Sequence, residues 1–197
     1  MSGDHSDDRA GGVAARVRQV ETLLESRGLV DGAELDRALE AFLARASPAN
    51  GARVVARAWV DDGFRTRLLH DGNAALEELG LSMGGGIQPQ RLKVVENTAT
   101  QHNVLVCTLC SCYPIALLGP SPTWYKSEAY RSRVVRDPRG VLAEFGTTLP
   151  DDVEITVWDA SAESRYLVLP RRPDADLDEA GLAALVTRNG LIGVAQV

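Results

Sequence analysis

Cys107, Cys110 and Cys112 are the only cysteines of this 197-residue chain, and they fall within one short run, Cys107-Thr108-Leu109-Cys110-Ser111-Cys112. A Cys-x-x-Cys-x-Cys run cannot be a disulfide framework, because bridges need partners from distant segments and an odd thiol would remain. Metal or redox chemistry is left. Structural zinc usually draws two separated pairs of ligands, and the sequence offers no second pair. An iron-sulfur cluster would be short of a fourth thiolate and cramped. Another arrangement suits the spacing better. If Cys110 and Cys112 share one ion, the backbone nitrogens of Ser111 and Cys112 lie between the two sulfurs and close consecutive chelate rings, while Cys107 caps the site from one axial side. Amide nitrogens bind only when deprotonated, so such a planar set of N and S donors calls for a strongly Lewis-acidic transition metal. The position opposite Cys107 would be open to water or substrate.

Two textures of sequence must position this loop. Residues 13–80 read as helices. Val13, Val17, Val20 and Leu24 recur at helical spacing, with Gly28 placed to end the helix. Leu35, Ala38, Leu39, Phe42 and Leu43 make a second stripe, opened by Asp31 with Glu34 three residues on. Ser47-Pro48 reads as an N-cap followed by proline at the first helical position of a third helix running through Trp59. A further helix covers residues 74–79 and stops at Gly80. The run Gly84-Gly85-Gly86 marks a linker or sharp turn. Beyond it the pattern predicts strands over 92–95, 103–106, 153–158, 166–169 and 191–195, and helices over 123–135, 139–145 and 177–186. The expected fold is α+β, a mixed α/β chain: a disordered tail over 1–12, a helical arm over 13–83 and a layered α-β-β-α metal-binding domain over 84–197. The cysteines follow a strand and precede a Pro-containing turn, where rigid placement and open access coexist.

Composition narrows the function classes. At 45% hydrophobic residues the chain can bury one substantial core, and its net charge of -6 argues against a nucleic-acid partner. No apolar run approaches the roughly 20 residues that cross a bilayer. The polar N-terminus lacks a secretory signal, and with unpaired thiols this points to the cytoplasm. His5 and His70 carry no ligand pattern, and His102 lies too far along its strand from Cys107 to join it as a ligand, so a structural hydrogen bond is expected there. Trp124 and Tyr125 read as core or interface aromatics. The basic run 131–139 reads as a helix face or subunit contact.

The motif Val106-Cys107-Thr108-Leu109-Cys110-Ser111-Cys112-Tyr113-Pro114 resembles the metal motif of the nitrile hydratase alpha subunit. The resemblance extends upstream through Arg53-Val54-Val55-Ala56-Arg57-Ala58-Trp59 and Val95-Glu96-Asn97-Thr98, and downstream through Trp124-Tyr125-Lys126, Val157-Trp158-Asp159, Arg165-Tyr166-Leu167-Val168-Leu169-Pro170 and Val186-Thr187-Arg188. It implies ligation by the sulfurs of Cys107, Cys110 and Cys112 and by the amides of Ser111 and Cys112. It implies oxidation of Cys110 to sulfinate and Cys112 to sulfenate. The Cys112 sulfenate or a metal-bound hydroxide would then attack a nitrile carbon, with Ser111 and Gln88 beside the reacting face. Asp159, Arg165 and Tyr113 would orient the ligating groups. Thr108, directly after the first cysteine, is similar to cobalt-type members, so cobalt(III) is expected ahead of iron(III). A beta-type subunit, as one chain or split into two, would supply arginines to the oxidised sulfurs, and the N-terminal arm would embrace it or pack on the following domain. Ile115 stands where members most often have tryptophan. That change widens the pocket toward a bulky or heteroaromatic nitrile, similar to the toyocamycin-type branch. Thiocyanate hydrolase, whose metal subunit shares the motif, and a non-enzymatic metal carrier are the competing expectations.

Overall fold

The computed structural model describes residues 5–83, with side chains from residue 12, and residues 90–110 and 112–197. The triple glycine, Gln88 and Ser111 lie outside the described residues. By compactness the chain divides into residues 1–44 and 45–197. The expected division at 83/84 therefore falls inside the second unit.

The first unit contains α1 (His5–Ser26) and most of α2 (Gly32–Arg45). Gly28 ends α1 in the left-handed region at φ 66°, and Leu29 N–H closes back on the Leu24 carbonyl at 3.0 Å. Asp31 caps α2 by accepting from Glu34 N at 3.0 Å. Val13, Val17 and Val20 on α1, and Leu35, Leu39, Phe42 and Leu43 on α2, are all exposed.

The second unit opens with α3 (Pro48–Val60), whose cap Ser47 accepts from Ala49 N at 3.2 Å with Pro48 at the first turn. α3 buries Val54, Val55, Ala58 and Trp59. Two aspartates then divide the chain into successive helices. Asp61 closes α3 and caps α4 (Asp62–His70), and Asp71 closes α4 and caps α5 (Gly72–Glu78), each accepting a backbone N–H with its carboxylate. Neither of these caps was read from the sequence.

Among the described residues four strands follow: β1 (Arg91–Glu96), β2 (Gln101–Val106), β3 (Glu154–Asp159) and β4 (Ser164–Leu169). β1 pairs parallel with β4, and β2 pairs parallel with β3. Parallel strands are covered on both faces, and β2 and β4 are accordingly buried at every residue after the first. Parallel pairing also requires a long crossover. The one from β2 to β3 holds the three cysteines and then α6 (Ile115–Leu118), α7 (Thr123–Lys126), α8 (Glu128–Val134) and α9 (Pro138–Glu144). α4 and α5 pack on β1, α9 on β3, and α11 (Arg188–Ile192) on β4, while α10 (Glu179–Leu185) packs on α3. This is the expected mixed architecture of helices layered on strands.

Two expected elements differ. The helix predicted over 123–135 is interrupted at Ser127, which takes an extended conformation and caps α8 by accepting from Tyr130 N at 3.2 Å. The strand predicted over 191–195 is absent. Thr187 caps α11 through Gly190 N, and Gly193 ends it at φ 89°. Leu191, Ile192 and Val194 are all fully buried, so neither helical nor strand periodicity shows in the sequence.

Candidate metal centre

The register of β2 on β3 builds the site. Val106 lies opposite Asp159 at the carboxyl ends of both strands, and the next residues of the β2 chain are Cys107 and Thr108. Asp159 grips Thr108 twice: Thr108 N–H donates to one carboxylate oxygen at 2.9 Å and the Thr108 hydroxyl to the other at 2.5 Å. From the other side Arg131 of α8 donates to the Thr108 carbonyl at 3.2 Å. The far end of the loop is held as well, because the Tyr125 hydroxyl donates to the Cys112 carbonyl at 3.1 Å. Leu109, between these fastenings, is 91% exposed.

The three sulfurs converge. Cys107 is buried, Cys110 exposed and Cys112 half-buried. Their Sγ atoms stand 3.3 Å apart between Cys107 and Cys110, and 3.2 Å apart between Cys110 and Cys112. Those separations are far longer than a disulfide bond. All three lie within 4.8 Å of one another, a set that could hold one ion. Burial, then the hydrogen bond with the Cys110 thiol, push Cys112 well above the usual thiol range, and the Arg165 charge partly offsets them. Thiolate charges this close repel one another. A multivalent cation among them reverses the balance and makes thiolates of them, so the donor set fits a thiophilic, Lewis-acidic ion.

Arg165, on β4, is buried; one guanidinium nitrogen donates to the Ser161 carbonyl, while its Nε has no hydrogen-bond partner among the described residues. Its charge reaches Cys112. Tyr113 is buried beneath the loop, with its ring edge-on to Tyr125 at 5.1 Å. Burial raises its phenol above the ordinary range, against the opposing charge of Arg188. Ile115 is half-buried at the start of α6 and packs against the core. Ser111 and Gln88, both expected at the reacting face, lie outside the described residues. His102 is a structural residue: buried in β2, it bonds the Gly193 carbonyl at 2.8 Å and Asn97 at 3.3 Å.

Two supports were missed in the sequence. Arg131 had read as part of a basic helix face, and Tyr125 as a core aromatic. The available signal was general: a buried tyrosine needs a partner for its hydroxyl.

Fold and loop together define a class, mixed α/β proteins with a three-sulfur site at the carboxyl ends of parallel strands. The chain belongs to the nitrile hydratase alpha-chain family, whose profile, "Nitrile hydratase, alpha chain", matches residues 12–195. It is 52% identical over 184 residues to the low-molecular weight cobalt-containing nitrile hydratase subunit alpha of Rhodococcus rhodochrous, covering 92% of this chain and 87% of that one. It is 41% identical over 186 residues to the thiocyanate hydrolase subunit gamma of Thiobacillus thioparus, covering 89% of this chain and 76% of that one. Among solved structures, a double mutant of the Fe-type nitrile hydratase from Comamonas testosteroni Ni1 superposes with a TM-score of 0.87 at 41% identity, covering 94% of this chain and 90% of that one. No helix among the described residues is long and apolar enough to cross a membrane.

Proposed function

We propose that this chain is the metal-bearing alpha subunit of a cobalt-type nitrile hydratase, hydrating a nitrile to its amide. The convergence of three sulfurs within 4.8 Å on a loop fastened at both ends carries the assignment. Cobalt is favoured over iron because a relative 52% identical is named as cobalt-containing, and because Thr108 follows the first cysteine; cobalt(III) has the acidity that amide ligation needs. Cys107, Cys110 and Cys112 supply sulfur, and the backbone nitrogens of Ser111 and Cys112 complete the donor set. When bound, the ion would supply Lewis acidity toward the nitrile.

The chain's own groups do the rest. Cys110 as sulfinate and Cys112 as sulfenate would place oxygens beside a bound nitrile, and either the Cys112 oxygen or a water-derived hydroxide would attack the nitrile carbon. Asp159 and Arg131 hold Thr108, and so the start of the loop; Arg165 offsets negative charge at Cys112; Ser111 and Gln88 are assigned to the reaction on the family resemblance. Hydration adds water across the carbon–nitrogen bond without net electron transfer in the turnover itself; carrying Cys112 to sulfenate and Cys110 to sulfinate beforehand consumes an external oxidant, dioxygen or a peroxide. A beta-type subunit, as one chain or two, supplies arginines to the anionic sulfur oxygens, and the helical arm embraces it. Ile115, in place of an indole, widens the pocket toward bulky or heteroaromatic nitriles.

Intact mass spectrometry with metal quantification tests the centre: stoichiometric cobalt and added oxygen at Cys110 and Cys112 are expected, whereas zinc with unmodified thiols would overturn the assignment. Likeness to a thiocyanate hydrolase subunit supports a second reading, cleavage of thiocyanate. Parallel assays with a purine-like nucleoside nitrile, acrylonitrile and thiocyanate separate the two. Faster turnover of acrylonitrile than of the nucleoside would remove the wide-pocket argument.

A further inference from the structure

We infer that Tyr125 is a positioning residue for the metal loop, fixing the Cys112 end through its hydroxyl; the inference rests on the metal-centre reading above. The contact is 3.1 Å to the Cys112 carbonyl, from a side chain only 1% exposed. The ring has no freedom to aim elsewhere. Tyr113 lies edge-on at 5.1 Å, Trp124 edge-on at 6.0 Å and Tyr130 tilted at 5.9 Å. The backbone is equally set, because Tyr125 N–H donates to the Pro122 carbonyl and Ser127 closes the one-turn helix by donating its N–H and hydroxyl to the Trp124 carbonyl. A hydroxyl held this way is a fixed donor, and the Cys112 carbonyl is its acceptor.

What it fixes follows from the chain. Anchoring the Cys112 carbonyl sets the backbone torsion of the residue whose sulfur and nitrogen are both proposed donors. Asp159 and Arg131 do the same for Thr108 at the other end. With both ends tied, the sulfurs need no reordering when an ion enters, and that preorganisation appears as tighter retention. Tyr125 thus acts through Cys112 and touches neither ion nor substrate.

The test is Y125F in the full chain, loaded with cobalt and assembled with its beta-type subunit, against T147V as control. T147V removes another buried hydroxyl-to-carbonyl bond, Thr147 to Val194 at 2.8 Å, in a different part of the unit. Both variants are expected to melt at similarly lowered temperatures. Only Y125F is expected to release cobalt to a chelator about tenfold faster and to shift the sulfur-to-metal charge-transfer absorption. Replacing Tyr125 with 4-aminophenylalanine, which restores a donor on the same ring, is expected to return both readouts and covers the case of a poorly folded Y125F. Cobalt release and absorption in Y125F equal to those of T147V would overturn the positioning role while leaving the metal centre standing. A wild-type chain that retains no cobalt would overturn the centre and the inference with it.

Discussion

Asp159 is the residue whose loss should be felt most at the loop without touching an ion. Its carboxylate holds both the amide and the hydroxyl of Thr108. D159A is expected to weaken cobalt retention by about 10- to 100-fold, with D159N, which keeps one acceptor oxygen, falling between; a chelator-competition assay reads the difference. His102 makes a separate prediction about pH. Burial lowers its pKa in the folded chain, against the hydrogen bond to the Gly193 carbonyl that favours the proton. The unfolded chain therefore takes up the proton first, near an ordinary value of about 6.5. Its contribution to stability is present above that pH and is lost on acidification. Urea midpoints at pH 8 and pH 5 should differ less in H102Q than in the parent. At this scale the sequence was legible where chemistry lives in residue type and short spacing, as in the three thiols. Tyr125 and Arg131 were not, because nothing local says that a hydroxyl reaches back to residue 112 or a guanidinium to residue 108.

Among the elements, α11 shows what fixes a short buried segment when periodicity cannot. Gly193 ends it at φ 89°, and a Cβ there would overlap the Asn103 carbonyl. G193A combines left-handed strain with that overlap, and a loss of about 2–4 kcal/mol is expected in denaturant unfolding. The helices opened by Ser47, Asp31 and Asp178 carry their caps in the sequence, and those of α2 and α3 were read correctly from them. The segment over 191–195 was misread because full burial erased the alternation that separates strand from helix. The single helix expected over 123–135 missed the Ser127 break for another reason: its hydroxyl both accepts from Tyr130 N and donates to the Trp124 carbonyl, a local competition that an apolar pattern does not record.

For the whole molecule, the division at residues 44 and 45 separates a unit with a closed core from one whose apolar stripes are exposed. If those stripes seat a beta-type subunit, the double variant L39D/F42D should abolish co-purification with that subunit while circular dichroism and cobalt content of the chain stay at parental values. Retained co-purification would place the contact elsewhere. The mixed fold was legible because alternating strand and helix patterns survive beyond residue 90; the compact boundary was not, since the packing of α3 on α10 and of α4 and α5 on β1 joins segments far apart in sequence. Pairing β2 with β3 in parallel also imposes a timetable on synthesis. Thr108 and the Asp159 that grips it are 51 residues apart, and at about 5–20 residues per second the ribosome takes roughly 3–10 s to cover that gap. During that interval the thiols have been made and the strand that braces them has not. The brace on Thr108 therefore exists only once β3 has emerged and docked, and a nascent chain halted before residue 154 carries the sulfurs without it.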